Sequence, residues 1–190
     1  MAPPPGVLME KMDEDCSQSI EVTVFMPGWN EAVTDVEGFC RKTALKALGD
    51  LPEDVRDRVE LGIQLEGDDK VRALNARWRN MDKPTNVLSF PALDPEEDWP
   101  AVGPVLLGDI VVAQETVERE ADEAGIGVDA HLAHMIVHGV LHLMGHDHLE
   151  DDEAERMEAR ERVILAELGH ADPYARSEPM SGLAAATGEA

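Results

Sequence analysis

At 190 residues, 43% apolar and 29% charged, the chain fits one water-soluble globular domain with tails. Its sixteen Lys+Arg against forty Asp+Glu give a net charge of −24, which repels nucleic acid at long range and, taken alone, argues against an RNA partner. The apolar runs are far shorter than the roughly 20 residues that span a bilayer, and the start, Met1 to Leu8, has no basic segment followed by an apolar one, so neither a membrane span nor a signal peptide is expected. Cys16 and Cys40 stand at no metal-ligand spacing. A reduced, cytoplasmic protein is the simplest account.

Residues 1–18 and 171–190 lack hydrophobic periodicity and read as disordered tails around a single domain, 19–170. Ile20 to Phe25 alternates as a strand does, and Asn30 to Leu48 carries apolar positions at helical spacing with Gly49 after it. Val59 to Leu65 alternates again. Asp68 to Trp78 reads as a short helix capped by Asp68 or Asp69, with Val71, Leu74 and Trp78 on one face. A loop, Lys83 to Asn86, leads to a strand, Val87 to Phe90, ended by Pro91. After a Pro-rich acidic loop, 92–104, comes the most apolar strand, Val105 to Ala113. Three helices follow, near 114–124, 128–144 and 151–168, with Gly145 and Gly169 where left-handed caps belong. Strands first and helices last predict an α+β domain with a small sheet.

The acids cluster, at 96–98, 118–123 and 150–161, and read mostly as solvated faces. The bases concentrate in Lys70 to Lys83, with Arg72, Arg77 and Arg79 between them, an arrangement compatible with a local basic strip on an acidic body that only the fold can decide.

Six of the seven histidines lie between His131 and His148. On a helix His138 and His142 stack one turn apart, close enough for both imidazoles to reach one ion at about 2.0–2.1 Å. Gly145 can reverse the chain, letting His148 swing in as a third ligand. Three protein ligands with an open fourth position describe a catalytic zinc site, one Zn2+ per chain, with an acidified water as nucleophile. The spacing H-x-x-x-H-x-x-G-x-x-H is that of metzincin proteases, but Gly139 stands where those enzymes carry the glutamate base. His134 reads as a packing or supporting residue rather than a ligand. Asp147 reads either as orienting an imidazole or as an ordinary turn residue; His131 and His170 read as surface residues.

The segment His138-Gly-Val-Leu-His-Leu-Met-Gly-His-Asp-His148 resembles the signature of the YbeY family of bacterial metal-dependent endoribonucleases, apart from His146 where the family has Tyr. Leu74 to Pro91 resembles a second family stretch, in which the arginine at Arg79 is functional, and Leu107-Gly-Asp-Ile110 resembles a third. The resemblance covers about residues 20–168. It implies a zincin-like fold, a small mixed sheet packed on helices with the metal on a helix of the C-terminal half. It also implies single-stranded RNA as substrate, maturation of small-subunit ribosomal RNA, ribosome quality control, and the small ribosomal subunit or its proteins as partners.

Within that picture Arg79 is the catalytic arginine, its planar fork holding a phosphate. Lys83 reads as a solvated lysine, while Asn86 and Ser89 either line the cleft or shape the turn. No general base is identified. Two other functions fit the same residues: a zincin-type metalloprotease, and a non-catalytic ribosome-assembly factor whose zinc only stabilises the fold.

Overall fold

In the computed structural model, which describes residues 18–94, 98–146 and 151–175, the alternating segments form one four-stranded sheet. The elements are β1 (Ser19–Val24), α1 (Gly28–Ala32), α2 (Val36–Ala47), α3 (Glu53–Arg56), β2 (Val59–Glu66), α4 (Asp68–Arg79), β3 (Val87–Pro91), β4 (Val105–Ala113), α5 (Gln114–Ala124), α6 (Val128–Leu143) and α7 (Asp151–Leu168). The strand order is β1-β2-β4-β3, with β1–β2 and β2–β4 parallel and the edge strand β3 antiparallel to β4. The sheet is therefore mixed, as expected for this α+β domain.

Alternation decides what each face carries. Val59, Leu61, Ile63 and Leu65 of β2 join Ile110 and Val112 of β4 in the main core, under α2 and α6. On the other face Leu88 and Val111 pack with Val71 of α4. Leu107 is the extra residue of a bulge, since Glu60 pairs with Leu106 and Leu61 with Gly108. Gly108 has φ 134°, and a Cβ there would run into the Phe90 carbonyl, so the bulge requires glycine.

The segment expected as one helix from Asn30 to Leu48 is two. Asp35, at φ 47°, breaks it and accepts the Gly38 N–H as the cap of α2. Helix α4 also begins differently: Gly67 is its cap, and Asp68 faces away to accept both the amide and the hydroxyl of Thr116 at 3.0 and 2.7 Å. Glu115 accepts the Asp68 amide in return at 2.8 Å, so the starts of α4 and α5 cap each other. Gly145 and Gly169 adopt φ of 87° and 89°, as their expected capping role requires. Cys40 is buried, which pushes its thiol up to about 12 and leaves it protonated. Cys16 lies outside the described residues. No single helix among the described residues is long and apolar enough to cross a membrane.

Candidate metal centre

Helix α6 is buried along most of its length, with Leu132, Ile136, Val137, Val140 and Leu141 in the core. Its histidines emerge on the remaining stripe: His131, His134, His138 and His142 follow one another at three- and four-residue steps. Their rings form an edge-to-face file, with centroids 6.2, 6.3 and 4.5 Å apart along the series.

The two nitrogens of His138 have separate duties. Nε2 lies 3.0 Å from Nε2 of His142, while Nδ1 lies 2.8 Å from Oε1 of Glu161 on α7. Two imidazoles binding one zinc tetrahedrally would have their nitrogens about 3.3 Å apart, so the His138–His142 spacing is close to that of a ligand pair. Gly145 then turns the chain back, with the Gly145 and His146 amides returning to the His142 and Leu141 carbonyls at 3.0 Å each. His148 and Asp147 lie outside the described residues.

Glu161 was not singled out by sequence reasoning. It lies in the acidic run 150–161 that reads as a solvated face, yet its side chain is 0% exposed. Burial alone would raise its carboxyl. Hydrogen bonds from His134, His138 and Tyr174 outweigh that and hold it down at about 2, so Glu161 is an anion at neutral pH. An ionised carboxylate can only accept, so Nδ1 of His138 donates to it, and in the neutral ring Nε2 is then the nitrogen that can bind an ion. Nε2 of His134 lies 3.3 Å from both Glu161 Oε2 and the Tyr174 hydroxyl. Tyr174 was likewise missed, because residues 171–175 read as the start of a tail.

His134, His138 and Glu161 also form a group with donor atoms all within 4.8 Å of one another, which could itself hold a metal ion. The donor set in this part of the fold therefore suits a metal. His131, expected at the surface, is mostly buried, at 12% exposure. It binds Glu120 at 2.8 Å, and Glu120 also accepts from Asn86 at 3.0 Å. Asn86 thus ties β3 to α5, and Ser89 donates to the Gly139 carbonyl at 3.4 Å, tying β3 to α6. Both hold the helices around the histidines.

Gly139 flanks the histidine stripe of α6 and faces the sheet. A Cβ there would come within 2.9 Å of Cδ1 and 3.1 Å of Cγ1 and Cγ2 of Ile110. The position that carries glutamate in metzincins is here a close approach between helix and strand.

Arg79 is the last residue of α4 and is exposed. It makes no ion pair among the described residues, whereas Arg72 is held by Asp82 at 2.7 Å. Arg77 lies over the exposed Trp78 ring, 5.1 Å from its centroid. Lys83 is also exposed, as expected of a solvated lysine.

The sequence model of a family described as endoribonuclease YbeY matches residues 30–169. Curated relatives of that name include one from Paramagnetospirillum magneticum, 50% identical over 159 residues and spanning 82% of this chain and 94% of its own. Another, from Rhodopseudomonas palustris strain BisB18, is 49% identical over 82% of this chain and 91% of its own. A third, from Azorhizobium caulinodans, is 50% identical over 82% and 96%. With about half the residues identical over nearly the whole length of such relatives, the chain belongs to the YbeY family.

Proposed function

We propose that the protein is a zinc-dependent endoribonuclease that cuts single-stranded RNA in the cytoplasm and takes part in maturing small-subunit ribosomal RNA. Relatives named as endoribonucleases support the activity. The observation that carries the metal reading is the division of His138, with Nδ1 committed to a buried carboxylate and Nε2 facing Nε2 of His142. His138 and His142 would hold the ion, joined by His148 once the chain has turned at Gly145. Three imidazoles and no thiolate suit zinc among the common metals.

A bound zinc supplies an acidified water and draws charge from a phosphoryl oxygen. Glu161 keeps His138 in the tautomer that can bind, and His134 and Tyr174 keep Glu161 ionised. Arg79 is the phosphate ligand, its guanidinium offsetting negative charge on the scissile group. Of the four cations of α4, Lys70 and Arg77 share one side of the helix and Arg72 and Arg79 the other, and with Arg72 held by Asp82 it is Arg79 that is offered to RNA on that side. The small ribosomal subunit or its proteins are the partners that would bring ribosomal RNA to this site. The packing of Gly139 on Ile110 argues against a protease of metzincin type, because no carboxylate base fits there.

The compact group of His134, His138 and Glu161 favours a second arrangement, with the ion on the Nδ1 side of His138. Metal analysis of two variants separates the two. With the ion on the Nε2 side, His142→Ala loses most of its zinc and His134→Ala keeps about one per chain. The reverse pattern would move the ion to the Glu161 side.

A further inference from the structure

The site is closed by a residue beyond the family match, which ends at 169. After Gly169 the chain folds back along α7, and Tyr174 reaches the carboxylate that holds His138. Its hydroxyl donates to Oε2 of Glu161. Four contacts fix it there. The Tyr174 amide donates to Asp172 at 2.9 Å, Arg162 pairs with Asp172 at 3.4 Å, the Arg162 guanidinium lies 4.7 Å from the Tyr174 ring centre, and the ring meets His134 edge-on at 5.5 Å. Beside them a cavity of about 160 Å³ is lined by His138, Ala154, Met157, Glu158, Glu161 and Tyr174. Without the tyrosine, Oε2 of Glu161 would keep, among the described residues, only His134, at 3.3 Å.

We propose that Tyr174 is a positioning residue of the metal centre: its hydroxyl fixes Glu161, Glu161 fixes the tautomer of His138, and residues 171–175 thereby raise metal affinity. The proposal rests on the reading that Nε2 of His138 binds the ion. Partners one step removed from a metal commonly change affinity 10- to 100-fold when lost.

The test uses the full chain and Tyr174→Phe, which keeps the ring over Arg162 and removes only the hydroxyl. Two truncated chains, ending at 170 and at 175, accompany it. Zinc affinity is read by competition with a chelator, and the tautomer of His138 by nitrogen chemical shifts in the metal-free protein. Tyr174→Phe is expected to weaken zinc binding about 10-fold and to give His138 mixed tautomers. The chain ending at 170 should behave like it or worse, and the chain ending at 175 like wild type. Wild-type affinity and a single His138 tautomer in Tyr174→Phe overturn the proposal, whatever happens to the melting temperature. If the wild type binds no zinc, the metal reading fails by itself, while the tautomer measurement still decides whether Tyr174 positions His138.

Discussion

Gly139→Ala isolates the close approach that sets α6, and its histidines, on the sheet. In an ordinary helix interior the change would stabilise by about 1 kcal/mol, because alanine is the better helix former. Here the three atoms nearest the new Cβ all belong to Ile110, at 2.9–3.1 Å, and Ile110 is 0% exposed with no room to retreat. Overpacking of this kind costs about 1–3 kcal/mol. The sum is a net loss on the order of 1 kcal/mol, opposite in sign to the propensity effect. In an Ile110→Ala background those three atoms are gone, so the same substitution should become neutral or stabilising by up to about 1 kcal/mol. Ile110→Ala itself should cost about 2–5 kcal/mol, and the two changes should therefore be strongly non-additive. Urea denaturation of the four metal-free proteins measures the cycle. Gly139→Ala raising wild-type stability, or having the same effect in both backgrounds, would refute the packing argument and reopen the position to a carboxylate.

Arg79→Ala should keep its zinc and stay within about 1 kcal/mol of wild type, as an exposed substitution does. It should lose RNA cleavage about 10²-fold, with partial recovery in Arg79→Lys because an ammonium cannot form the bidentate fork. Loss of zinc from Arg79→Ala would instead make the arginine structural. Glu161 has its folded carboxyl near 2 against an ordinary 4.5, so its stabilising contribution is complete above about 4.5 and fades as pH falls towards 2. The stability gap between wild type and Glu161→Gln, followed by denaturation of the metal-free proteins, should narrow over that window; a constant gap would count against an ionised Glu161. Asp68→Ala removes the acceptor of two hydrogen bonds from Thr116 and should cost about 1 kcal/mol in thermal unfolding. A neutral result would mean that Glu115 alone joins the starts of α4 and α5.

Periodicity reached most of the elements because their apolar faces are local features of the chain. The departures come where a polar side chain overrides the pattern. Asp35 interrupts an otherwise continuous helical spacing by capping α2 from a left-handed backbone. Asp68 is drawn from its own helix start to that of α5. In the site, the four-residue step between His138 and His142 was legible because one helix carries both. Glu161 was concealed by its acidic neighbours, although the signal was present: it lies four residues after the buried Met157 and four before the buried Leu165, on the apolar stripe of α7. Tyr174 gave no such signal, because its contacts with Glu161 and His134 come from tertiary packing rather than periodicity. His131 pairs with Glu120 across two helices, which composition could not distinguish from two surface residues.

If an ion held by His138 and His142 drives cleavage of RNA, activity must follow metal occupancy. Single-stranded RNA cleavage by the protein stripped of metal and then titrated with zinc, with His142→Ala alongside, decides it. Activity should be absent from the stripped protein, rise to a plateau at about one zinc per chain, and stay near background in His142→Ala at the same zinc concentration. Full cleavage by the stripped protein, or by His142→Ala under those conditions, would contradict it.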